Sequence, residues 1–139
     1  MALEHEALTE RIIGAAIEVH RRLGPGFLES IYEKALVIEL RKRFIEVVAQ
    51  LEVAILYDGV EIGLHRLDLF VEKTIIVELK AVKNLEDVHF AVVRSYLKAI
   101  NQKHGLLLNF AKPTLEIRRV IWEENKEGRN PGKEPSPAQ

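Results

Sequence analysis

Between Arg66 and Lys80 six apolar residues share one parity: Leu67, Leu69 and Val71, then Ile75, Val77 and Leu79. A period of two marks strands with one buried face. The polar break Glu72-Lys73-Thr74 between the two runs reads as the loop of a hairpin. An odd loop opposes residues of like parity and puts all six apolar side chains on one face. An even loop would oppose Leu67 to Glu78 and Asp68 to Val77, which burial disfavours. The register that builds a core therefore also carries Asp68, Glu78 and Lys80 to a common face. Glu78 and Lys80 are two apart and share a side, with Leu79 opposite.

The rest of the chain frames that hairpin. Leu8, Ile12, Ala15, Val19 and Leu23 recur at helical spacing, so a helix is expected from about Thr9 to Leu23, stopped by Gly24-Pro25-Gly26. A second helix is expected from Leu28 to Arg43, with Ile31, Tyr32, Ala35, Ile38 and Leu40 as its apolar positions. The short joint makes the two helices neighbours. From Glu46 to Tyr57 the pattern is that of a strand, alternating after Gln50, and Asp58-Gly59 is a hairpin turn signal. A second strand runs to Val71 and a third from Thr74 to Val82. Leu85 to Asn101 is helical, with Leu85, Val88, Val92, Tyr96 and Ala99 on one stripe. His104 to Phe110 is a short apolar strand suited to burial on both faces, and Leu115 to Trp122 an edge strand. The order α-α-β-β-β-α-β-β makes a mixed sheet flanked by helices, an α/β domain over residues 1–122. From Glu123 onward the composition turns to Glu, Lys, Asn, Gly, Pro and Ser, and 123–139 is expected to be a disordered tail.

Composition excludes several kinds of chemistry. The 139 residues suit one domain, and 47% apolar content can fill its core. There is no cysteine, hence no thiolate metal site and no cysteine nucleophile. The N-terminus lacks the pattern of a signal peptide and no apolar run is long enough to span a bilayer, which points to a cytoplasmic protein without a membrane role. The net charge of −1 argues against tight duplex binding by phosphate neutralisation alone. A bound cation can still draw phosphate to one place.

Asp68, Glu78 and Lys80 admit two readings at this point. One is a solvated strand face with a Glu–Lys ladder of small energetic value. The other is a divalent-metal site: close carboxylates repel, a cation relieves the repulsion, and hard oxygen ligands select Mg2+ or Mn2+. A lysine beside such a site can hold a water or steady charge developing on a phosphate.

The segment Gly26-Phe27-Leu28-Glu29-Ser30-Ile31-Tyr32, preceded by Ile13-Gly14-Ala15-Ala16-Ile17-Glu18-Val19-His20 and Leu23-Gly24-Pro25, resembles the naming motif of the GxxExxY family. That family belongs to the PD-(D/E)XK nuclease-like superfamily. Asp68 matches the superfamily's aspartate and Glu78-Leu79-Lys80 its (D/E)XK. The likeness extends over nearly all of residues 8–122, and its core order α-β-β-β-α-β agrees with the order read from periodicity. The resemblance implies a metal-dependent phosphodiesterase acting on DNA or RNA. Asp68 and Glu78 would ligate Mg2+ or Mn2+, the Leu79 carbonyl and Glu29 would add ligands, and Lys80 would position the attacking water. One departure is Val92, where relatives with the recombination-exonuclease version of the site carry glutamine, although Tyr96 is kept. A catalytically weak nuclease-fold module, binding nucleic acid or a protein partner, is therefore the alternative, and a homo-oligomer is open. Tyr32, Tyr96 and His89 are candidates for supporting or substrate contacts. Lys83, Arg94 and Lys98 are candidates for phosphate contacts, and His20 for packing.

Overall fold

A computed structural model describes residues 4–124. Its elements are α1 (Glu6–Leu23), α2 (Glu29–Lys42), β1 (Val47–Tyr57), β2 (Val60–Val71), β3 (Ile75–Lys80), α3 (Asp87–Ile100), β4 (His104–Asn109) and β5 (Glu116–Ile121). The order matches the one expected from periodicity. The tail expected from Glu123 falls, after Glu124, outside the described residues.

The five strands form one sheet in the order β1-β2-β3-β4-β5. Neighbours are antiparallel except β3 and β4, which are parallel and joined through α3 as a crossover. Helices cover both faces. On one side Ile12, Ala15, Val19, Tyr32, Leu36 and Leu40 of α1 and α2 pack on Leu69, Val77, Leu79 and Leu106 of the sheet. On the other side Val93 and Leu97 of α3 pack on Leu67, Ile76, Leu107 and Val120. Strand β4 feeds both cores, which explains its unbroken apolar run.

Three sequence expectations shift. In α2, Ile31 and Ile38 are exposed at 42% and 63%, and Leu36 takes the core position instead. In α3 the buried line is Val93 and Leu97, while Val88 is 60% exposed. Gly105 accounts for that rotation: a Cβ there would lie 2.9 Å from Val93 Cγ1, so the bare backbone of β4 is what Val93 sits on. Finally, Leu67 does not join Leu69 and Val71 but packs on the α3 side, as Leu51 and Val53 do. The β1–β2 ladder runs from Val47↔Val71 to Ala49↔Leu69 and resumes at Leu51↔Leu67, skipping Gln50. Gln50 has left-handed backbone (φ 56°), which breaks the strict alternation opposite Asp68.

Candidate active site

The β2–β3 connection is a three-residue loop, with pairs Val71↔Ile75, Phe70↔Ile76 and Leu69↔Val77. Glu72 and Lys73 both take positive φ (52° and 51°) to close it, and the Thr74 N–H donates to Val71 O at 2.9 Å. Continued one step, this odd register sets Asp68 opposite Glu78. There a side chain takes over from the ladder: Asp68 Oδ2 accepts the Leu79 N–H at 2.9 Å. Two residues later, just past the end of β3, Glu29 at the start of α2 reaches across, and its Oε2 accepts the Ala81 N–H at 3.1 Å. Lys80 lies between these two anchor points, with Nζ 4.0 Å from Glu78 Oε2.

The electrostatics are unfavourable for carboxylates on their own. Glu78 is only 5% exposed, and its Oε1 is buried with no hydrogen-bond partner among the described residues. Burial first, then the charge of Asp68, pushes the Glu78 carboxyl up to about 8, against the pull of Lys80. Burial also raises Asp68, opposed by the Leu79 N–H and Lys80. Glu33, on α2 one turn after Glu29, is raised by burial and then by Asp68. Gln50 Nε2 donates to Glu33 Oε1 at 2.8 Å, and its amide also favours the charged form of Asp68. The Tyr96 phenol is raised by burial and then by Glu78 and Asp68, so α3 looks onto the same cluster. A buried carboxylate oxygen without a donor, amid further carboxylates, has the chemistry that suits a hard divalent cation. Such an ion would satisfy the orphaned oxygen and cancel the repulsion together. The residues fit Mg2+ or Mn2+.

A family model described as the PD-(D/E)XK nuclease superfamily matches residues 6–120. The chain belongs to the PD-(D/E)XK nuclease superfamily. The solved crystal structure of SSO0001 is similar in fold, with a TM-score of 0.52 at 16% identity. The alignment covers 88% of this chain but 62% of that one, so this PD-(D/E)XK chain spans less than two thirds of its length. No curated protein matches the chain at a significant level.

Within this PD-(D/E)XK fold, the sequence candidates separate. Asp68, Glu78, Leu79, Lys80 and Glu29 converge. Tyr32 does not join them: it is fully buried, its hydroxyl donates to Gly24 O at 2.6 Å and accepts the Phe27 N–H at 3.2 Å. Its ring stacks on Phe110 with centroids 4.5 Å apart. Tyr32 thus fastens the joint between α1 and α2 and thereby fixes where α2, with Glu29, begins. His89 closes a capping box at the start of α3, its Nδ1 accepting the Glu86 N–H at 2.8 Å. Tyr96 meets the His65 ring edge-on at 4.7 Å beside the cluster. Val92 is half-buried and offers no side-chain hydrogen bond where glutamine was expected. His20 packs as expected, near Phe110 and with Nε2 2.8 Å from Lys112 O. Lys83, Arg94 and Lys98 are exposed. The residues that sequence reasoning missed are Glu33 and Gln50. Their signals were present: Glu33 follows Glu29 by one helical turn, and the strand alternation starts only after Gln50.

Proposed function

We propose that this protein is an Mg2+- or Mn2+-dependent phosphodiesterase acting on nucleic acid, of the GxxExxY kind within its superfamily. The observation that carries the reading is the buried, unpartnered Oε1 of Glu78 beside Asp68. Asp68, Glu78, the Leu79 carbonyl and Glu29 would hold the ion. When bound, it would supply Lewis-acid stabilisation of the phosphorane and lower the pKa of water.

The chain's own residues do the rest. Lys80, on the strand side that Glu78 occupies, donates a hydrogen bond to the attacking water and orients its lone pair toward phosphorus. The same ammonium offsets negative charge gathering on the phosphoryl oxygens. The Leu79 and Ala81 N–H groups, bound by Asp68 and Glu29, hold the end of β3 still, so that Glu78 and Lys80 keep their spacing. Tyr96 borders the cluster from α3 and can contact the sugar–phosphate chain.

Cleavage of labelled single- and double-stranded DNA and RNA, with Mg2+, Mn2+ or chelator, tests the reading. The parent is expected to cleave at least one substrate only with metal. Lys80→Ala is expected to lose at least a hundredfold in rate while keeping metal-induced stabilisation. Metal-independent cleavage, or a fully active Lys80→Ala variant, overturns it. Val92 and the near-zero net charge favour a second reading, a weakly catalytic module that binds nucleic acid or a protein partner. That reading predicts binding without turnover in the same assays.

A further inference from the structure

At the opposite end of the sheet from the acidic cluster, Glu4 and His5 just before α1 meet His104 at the start of β4. One ligand atom from each lies within 4.8 Å of the others. His104 Nε2 and Glu4 Oε1 are 2.9 Å apart, and the His5 and His104 rings stand edge to face with centroids 5.4 Å apart. His104 pairs with Ile75 at the beginning of β3, whereas Lys80 pairs with Asn109 at its end. At roughly 3.3 Å per strand residue, the two groups are on the order of 17 Å apart.

We propose that Glu4, His5 and His104 form a second metal site, taking Zn2+ or a similar transition-metal ion. The ligand chemistry separates it from the acidic cluster. Two imidazole nitrogens and one carboxylate suit borderline ions, while an all-oxygen cluster suits Mg2+ or Mn2+. Three protein ligands leave a fourth position for water. A cavity of about 50 Å3 opens beside Glu4 and His104, bordered also by Thr9 and Arg119 and, for the most part, by apolar residues such as Ile75 and Leu106. Arg119 is engaged with Glu6 at 3.0 Å, which offsets its charge beside the site. The ligands come from the chain before α1 and from β4, so the ion would tie the N-terminal segment to the sheet.

The test uses the full chain carrying Glu78→Gln, in excess Mg2+, so that the outcome is independent of the proposed phosphodiesterase site. Zn2+ is titrated calorimetrically, and Co2+ is followed by its visible absorption. One equivalent of Zn2+ is expected to bind, with a rise in melting temperature and a Co2+ band typical of four- or five-coordinate nitrogen and oxygen ligands. Adding His104→Gln, or separately His5→Asn at an exposed position, is expected to weaken Zn2+ binding at least tenfold and to remove the band. Circular dichroism confirms that each variant is folded. Equal Zn2+ affinity in the variants, or no Zn2+ binding by folded protein, overturns the proposal and leaves the Glu4–His104 contact as a simple latch.

Discussion

Glu78 holds a carboxyl group among the buried apolar residues Ile75, Ile76, Val77 and Leu79 of β3, and the consequence is a pH dependence of definite sign. Its folded value of about 8 stands above the ordinary 4.5 of an unfolded chain. The folded state therefore binds a proton that the unfolded state has released, and stability falls as pH rises from about 4.5 to about 8. Urea unfolding in chelator is expected to lose on the order of a few kcal/mol across that window. Glu78→Gln, neutral throughout, is expected to flatten the slope and to match or exceed the parent in stability at pH 8. A parent whose stability rises through that window would contradict the assignment. At this scale the sequence was partly legible. The parity of the apolar residues was enough to bring Asp68 and Glu78 together. The depth of Glu78 was not, because it depends on α3 and on β4, whose packing no local pattern encodes. Glu33 and Gln50 left only local signals, a helical-turn spacing and a break in alternation; their meeting depends on α2 lying against β1 and on the left-handed backbone of Gln50.

The elements hold the site through two close fits on β4. Gly105 is where α3 comes down on the sheet. Gly105→Ala forces its new methyl against Val93 at 2.9 Å and against Leu97 at 3.6 Å, with Ile76 O at 3.5 Å behind it. Overpacking of this kind costs about 1–3 kcal/mol. Chemical denaturation should show it, and pairing the change with Val93→Ala should recover part of the loss. Asn109, fully buried, locks the exit of β3. Its Oδ1 accepts the Val82 N–H at 3.1 Å and its Nδ2 donates to Val82 O at 2.8 Å. Asn109→Leu leaves both Val82 groups unpaired at about 1–3 kcal/mol apiece. Because Val82 follows Lys80 by two residues, the metal-dependent cleavage rate should fall further than the folded fraction does. A rate loss that merely tracks unfolding would show that this lock does not reach the site. The element boundaries were legible because each helix and strand has its own period and its own breaker. Helix rotation was less so. The stripe Val88–Val92–Tyr96–Ala99 is as apolar as the line Val93–Leu97 that is buried, and the fit of Val93 on Gly105, on a different element, favours the latter.

For the molecule as a whole, the topology sets two chemically different ends on one sheet, carboxylates where β3 ends and imidazoles where it begins. No helix among the described residues is long and apolar enough to cross a membrane. With a net charge of −1, the protein has little general attraction for polyphosphate, so a bound cation would be the main draw for substrate. If Asp68 and Glu78 are held together for an ion, ligand-linked stability must show it. Melting temperatures of the parent and Glu78→Gln are compared in chelator and over a series of Mg2+ concentrations. The parent is expected to rise steadily with metal, by about 2.7 kcal/mol of added stability at a hundredfold excess over Kd. Glu78→Gln is expected to start as high or higher in chelator and not to respond. Equal stabilisation of both proteins by metal would mean that Glu78 holds no ion.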